Sequence, residues 1–81
     1  MTVSVQYFAR YREALGLDSE QVDGDFASID ALRLHLLARQ GVWQVLAEQN
    51  LMCARNQELC QLSEPLQAGD EVAFFPTVTG G

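Results

Sequence analysis

The chain closes on Pro76-Thr77-Val78-Thr79-Gly80-Gly81, and its final pair offers chemistry that needs no side chain. Glycine has no Cβ, so a Gly80-Gly81 end can enter a narrow channel without steric conflict and leaves its carboxyl group unhindered. At neutral pH that group is a carboxylate, with a reference pKa of about 3.3–3.7. A carboxylate is a poor electrophile. Converting it to an acyl-adenylate with ATP makes it reactive, after which a sulfur nucleophile can replace AMP. A run of this length, from Pro76 to Gly81, reaches at most ~20 Å at ~3.3–3.6 Å per residue. The dipeptide alone carries little weight, since a frayed end would look the same. Directly after a final strand, with a Thr-Val-Thr lead-in, it reads as the working end of a carrier or conjugating protein.

The remaining chemistry-bearing residues are few. Cys53, Cys60 and the single histidine, His35, give at most three soft ligands. Structural zinc and iron–sulfur sites use four. No metal is therefore expected, and the cysteines read as small, buried, apolar residues. Two cysteines also cannot build the disulfide framework of a small secreted domain. His35 falls on a helix surface and has no partner that would make a base–nucleophile pair, so the chain is not expected to be catalytic alone.

At 81 residues the chain supports one core. It is 48% hydrophobic and 20% charged, too apolar for disorder. Eleven acidic residues against five basic ones give a net charge of −6, and every basic residue is an arginine (Arg10, Arg12, Arg33, Arg39, Arg55). No basic stripe can form, so nucleic acid is excluded as a partner; an acidic surface suits a protein with a basic docking cleft. No apolar run is long enough to span a membrane. The start, Met1-Thr2-Val3-Ser4-Val5, lacks the basic and apolar regions of a secretory leader, which points to the cytoplasm.

The elements that must hold this tail follow from periodicity. Val3, Val5 and Tyr7 share one parity, and Thr2, Ser4 and Gln6 the other, as in a half-buried strand. Arg12 to Gly16 reads as a short helical turn closed by glycine, with a second short strand around Glu20-Gln21-Val22. Ser28 is a good N-cap, Asp30 suits the first turn, and Ile29, Leu32 and Leu36 recur at helical spacing. The spacing predicts a helix over residues 28–40, stopped by Gly41, with a shorter helical piece over 42–48. Residues 51–55 and 58–62 read as strands joined at Asn56-Gln57. If the loop is those two residues, Cys53 faces Cys60 and Ala54 faces Leu59. The last strand covers 70–75 and ends at Pro76, which lacks a ladder donor.

Strand, strand, helix, strand, strand, strand gives an α+β β-grasp domain like ubiquitin over residues 1–75: a small mixed sheet covered on one face by one main helix. Residues 76–81 are expected to form a flexible tail. The alternation has exceptions. Phe8 carries the parity of Ser4 and Gln6, Phe75 opposes Val72 and Phe74, and Leu59 opposes Cys60 and Leu62. These three, with Met52, are expected together on the uncovered face, as an exposed apolar docking patch. The bland alternative is that the helical piece near residue 43 folds over them.

The whole chain resembles the small subunits of molybdopterin synthase, sulfur carriers with a β-grasp fold. The resemblance rests on Tyr7-Phe8-Ala9, Arg12-Glu13, Gly16, Ala31-Leu32-Arg33, Asn56, Pro65-Leu66 and Gly69-Asp70-Glu71-Val72. Its most specific part is Val72-Ala73-Phe74-Phe75-Pro76-Thr77-Val78-Thr79-Gly80-Gly81. It implies that an activating enzyme of the ubiquitin-activating type adenylates Gly81 with ATP, and that a sulfur donor converts it to a thiocarboxylate. Val78, Thr79 and Gly80 would be threaded into the large subunit of the synthase, a heterotetramer. There, sulfur would pass to cyclic pyranopterin monophosphate, building the molybdopterin dithiolene of the molybdenum cofactor. Phe8, Leu59 and Phe75 match docking positions, and Arg12 could pair with a partner carboxylate or lie solvated. The resemblance implies no bound cofactor; ATP belongs to the activating enzyme.

The nearest rival is a carrier of the thiamine-pathway type, which is usually shorter and lacks the Phe-Phe-Pro ending. A ubiquitin-like modifier is a second rival; without lysine, no lysine-linked chains could grow on this protein. A plain binding module with an incidental Gly-Gly end is a third.

Overall fold

The computed structural model describes residues 1–77; Val78 to Gly81, expected above to be threaded into a partner and to carry sulfur on Gly81, lie outside the described residues. The first strand, β1 (Thr2–Tyr7), alternates as expected, with Val3, Val5 and Tyr7 buried. It continues into helix α1 (Ala9–Leu15). Ala9 enters that helix with φ 53, and Gly16 closes it with φ 66. Glycine adopts this left-handed conformation without the Cβ clash that other residues meet. Strand β2 (Ser19–Asp23) returns antiparallel to β1.

Helix α2 (Ile29–Leu37) begins where Ser28 predicts. The Ser28 Oγ accepts the Ala31 N–H at 3.2 Å, and Ile29, Leu32 and Leu36 are fully buried. Its end differs from expectation. The helix stops at Leu37, and the chain reverses through Gln40 (φ 63) and Gly41 (φ 64). Gly41 is thus the first residue of the following 3-10 helix (Gly41–Ala47), not the stop of α2.

Strands β3 (Met52–Arg55) and β4 (Glu58–Cys60) form the expected hairpin, with Cys53 opposite Cys60 and Ala54 opposite Leu59. Asn56 (φ 50) and Gln57 (φ 72) are both left-handed, the geometry that matches a two-residue turn to the strand twist. Strand β4 is shorter than the expected 58–62. The Leu62 and Glu64 carbonyls accept from Asp30 N (2.9 Å) and Ile29 N (3.0 Å), so that segment satisfies the free amides of α2 instead of extending the ladder.

Strand β5 (Glu71–Phe75) completes a mixed five-stranded sheet in the order β2-β1-β5-β3-β4. It runs parallel to β1 and antiparallel to β3. One face of the sheet carries the core, where Val3, Val5, Tyr7, Val72 and Phe74 meet Ile29, Leu32 and Leu36. Tyr11 of α1 and Leu46 of the 3-10 helix join that same core, and Trp43 meets Tyr7 edge-on with ring centroids 5.6 Å apart. Both short helices therefore lie on the side of α2. The fold is the α+β β-grasp, with three helical pieces on its covered face where one main helix was expected.

Candidate functional site

The other face of the sheet holds the candidate site. Because no helix covers it, residues of the minority parity stand in solvent. Phe8 is 41% exposed, Leu59 69% and Met52 37%. Phe75 is half-buried beside Phe74, which is fully buried on the core side. Phe8, Leu59 and Phe75 come from three separate segments and line one groove of about 440 Å³. Ala54 and Ala73 are also part of its lining; they are register partners on β3 and β5 and leave room between the larger side chains. Gln6, Gln57 and Glu71 supply the polar contribution. Met52 pairs with Phe75 in register but does not line the groove.

Local structure explains each placement. Phe8 is extended (φ −123, ψ 157) and donates its N–H to the Phe74 carbonyl at 3.1 Å, prolonging the β1–β5 ladder by one residue. That keeps the strand alternation and turns its ring to the open face. Helix α1 then departs toward the covered side, where Tyr11 buries its ring and donates its hydroxyl to Glu48 Oε2 at 3.0 Å. Arg10 also binds Glu48, and its hydrogen bond holds the Glu48 carboxyl below its usual range. Leu59 sits on the edge strand β4, one residue past the turn-closing pair Arg55 and Glu58.

The hairpin tip is tied to the start of β5. Asn56 Oδ1 accepts the Glu71 N–H at 3.0 Å, Asn56 N–H donates to the Glu71 carbonyl at 2.8 Å, and Asn56 Nδ2 donates to Asp70 Oδ1 at 3.1 Å. The Gln67 N–H on Asp70 Oδ2 (2.8 Å), the Asn56 amide and the Arg55 guanidinium hold the Asp70 carboxyl below its usual range.

Arg12 lies elsewhere. It is exposed on α1, 3.8 Å from Asp18, and is not part of the groove. His35 is exposed on α2 with its ring against Phe26, centroids 5.0 Å apart. Among the described residues, Glu71 is the single titratable side chain lining the groove, and no three His, Cys, Asp or Glu side chains cluster as a metal site. The groove can therefore bind an apolar surface but offers no base–nucleophile pair. Sequence reasoning missed Gln6, Ala54, Gln57, Glu71 and Ala73. Small and polar residues give no hydrophobic signal; strand parity with Phe8, Leu59 and Phe75 could have found Gln6, Ala54, Glu71 and Ala73, while Gln57 lies in the turn and carries no parity.

The groove opens beside the departure of the tail. Phe75 lines it, and two residues on, the Thr77 hydroxyl donates to the Asn50 carbonyl. Val78, Thr79, Gly80 and Gly81, the residues expected to be threaded and to carry sulfur, lie outside the described residues.

Known proteins resemble this chain along its full length. The molybdopterin synthase sulfur carrier subunit of Escherichia coli is 45% identical over 98% of this chain and 99% of its own. Its counterpart in Haemophilus influenzae is 42% identical over the same shares. Among solved structures, SAMP1 from Haloferax volcanii superposes with a TM-score of 0.84 at 27% identity, covering 100% of both chains. The model of the ThiS family matches residues 5–81, a span holding the open-face groove and the Gly-Gly end alike. With that match and relatives this similar along their whole length, the chain belongs to the ThiS family, beside the sulfur carrier subunits of molybdopterin synthase.

Proposed function

We propose that this protein is the sulfur carrier subunit of a molybdopterin synthase. The observation that carries the reading is the near end-to-end identity with the Escherichia coli carrier, at 45%. In this reading Gly81 is adenylated by an activating enzyme of the ubiquitin-activating type, which uses ATP. A sulfur donor then turns the adenylate into a thiocarboxylate. The large subunit of the synthase receives the tail through Val78, Thr79 and Gly80, and sulfur passes to cyclic pyranopterin monophosphate. The acid–base groups come from the large subunit, in line with a groove that has no base–nucleophile pair. This chain contributes a reagent and holds it in place, and proximity is where binding lowers the barrier.

The groove of Phe8, Leu59 and Phe75 is the docking surface in this account. An exposed apolar patch at the root of the tail lets one interface fix the direction in which the tail leaves. The likeness to SAMP1, at 27% identity, supports a second reading, a modifier joined through Gly81 to lysines of other proteins.

The test is the intact mass of the protein, tagged only at its N-terminus, after incubation with ATP, activating enzyme and sulfur donor. The expected result is a gain matching exchange of one oxygen for sulfur at Gly81. Lysine-linked adducts on other proteins without that gain would move the assignment to a modifier. Neither product, with the enzyme active on a known carrier, would leave a binding module.

A further inference from the structure

Two thiols have no part in the sulfur-carrier reading, and they face one another across the hairpin. Cys53 and Cys60 are register partners on β3 and β4, and their Sγ atoms lie 4.0 Å apart. Both are free thiols; Cys53 is buried and Cys60, on the edge strand, is half-buried. Alternation from the turn-closing pair Arg55 and Glu58 makes Cys53 and Cys60 a hydrogen-bonded pair, for which Cα atoms sit about 5.5 Å apart. A disulfide usually spans about 4.4–6.8 Å between Cα atoms. The register is set on both sides of β3, by Cys60 on β4 and by Phe74 on β5, so neither strand has to slide for the sulfurs to meet. The remaining movement is side-chain rotation that closes 4.0 Å to a bond of about 2.05 Å.

We propose that Cys53 and Cys60 form a reversible thiol–disulfide site whose oxidant is a small-molecule disulfide, and that the bond fastens the edge strand β4 to β3. Cys60, the more exposed thiol, loses its proton and attacks one sulfur of the external disulfide. A mixed disulfide forms on Cys60, and the first small thiolate leaves and takes up a proton. Cys53 then loses its proton and attacks Cys60 Sγ, expelling the second small thiolate, which is protonated in turn. Two protein thiols are oxidised and one external disulfide is reduced to two thiols. Burial, with Cys60 alongside, pushes the Cys53 thiol up to about 12, which disfavours its thiolate and leaves the first attack to Cys60; the 4.0 Å approach of the two sulfurs is what favours Cys53 in the second step. A bond across a hydrogen-bonded pair carries more strain than an unconstrained disulfide, and strained disulfides are the more easily reduced ones.

The bond bears on the groove because Leu59 and Ala54 stand on these two strands, one residue from each cysteine and on the opposite face. Fastening β4 holds that wall in place. This consequence rests on the docking reading; the bond itself does not.

The experiment equilibrates the full chain, natively folded, in glutathione buffers of graded oxidised-to-reduced ratio. Acid quenching, alkylation, intact mass and peptide mapping follow. The expected product has lost two hydrogens, joins the peptides of Cys53 and Cys60, and returns to the dithiol in excess reduced glutathione. Cys53→Ala should instead accumulate glutathione on Cys60. Amide exchange over Glu58–Cys60 should slow in the oxidised form by on the order of tenfold or more. Wild-type protein that collects glutathione adducts or intermolecular dimers, or keeps both thiols at every ratio, overturns the site. An internal bond with unchanged β4 exchange overturns the fastening. Titrating both forms with the large subunit separates the readings: an internal bond without large-subunit binding by either form supports the thiol site and removes the docking surface.

Discussion

Phe74 and Phe75 are neighbours with opposite tasks, and substitution should separate them. Phe74 is fully buried against the helices, so Phe74→Ala is expected to cost about 3–5 kcal/mol in urea denaturation. Phe75→Ala should weaken binding to the large subunit or the activating enzyme more than it lowers stability, read by calorimetric titration beside the same denaturation curve. A large loss of melting temperature with unchanged binding would place Phe75 in the core instead. Leu59→Ala is the cleaner probe. At 69% exposure it should change stability by no more than about 0.5 kcal/mol, while affinity for the large subunit falls by on the order of tenfold or more. At this scale the sequence was legible wherever a large apolar side chain broke a strand's alternation, as Phe8, Leu59 and Phe75 do. It was silent where the groove is lined by Ala54 and Ala73, because a small residue looks the same on either face.

The elements are set by local devices that can be removed one at a time. Ser28→Ala should destabilise the protein by about 1 kcal/mol, since the Ala31 amide loses its acceptor. Asp70 links the hairpin tip to β5, and its folded pKa is depressed by the Gln67 amide first, then by Asn56 and Arg55. A depressed carboxylate stabilises the fold above its ordinary value, and that contribution is lost as pH falls through the folded value. The stability difference between wild type and Asp70→Asn should therefore be full above about pH 5 and shrink below the ordinary 3.8, read from urea midpoints across that range. The hairpin register was legible because Asn56 accepts positive φ and both flanks keep their alternation. The end of α2 was not. Gly41 looked like its stop, but Gln40 shares the positive φ and Gly41 opens the next helix. Strand β4 was overestimated because Leu62 keeps the alternation while its carbonyl serves α2.

For the whole molecule, the order of elements was enough to read the β-grasp, and the single core follows from that order. The side taken by the 3-10 helix was not legible, since Trp43 and Leu46 could pack against either face; contact with Tyr7 and Tyr11's core decides it. That choice leaves the groove open. One added residue after Gly81 is expected to abolish sulfur transfer while the melting temperature stays unchanged, because the carboxyl group is displaced and the core is untouched; full transfer by such a variant would refute the carrier reading. The sheet order has a mechanical meaning as well. Strand β5, which leads to the tail, lies between β1, its parallel neighbour, and β3. A pull on the tail along β5 loads the hydrogen bonds of both ladders together, in shear, rather than opening them one by one from an edge. A partner that grips the last residues and draws them inward therefore tugs on the central strand of the sheet, and the load is shared between two ladders.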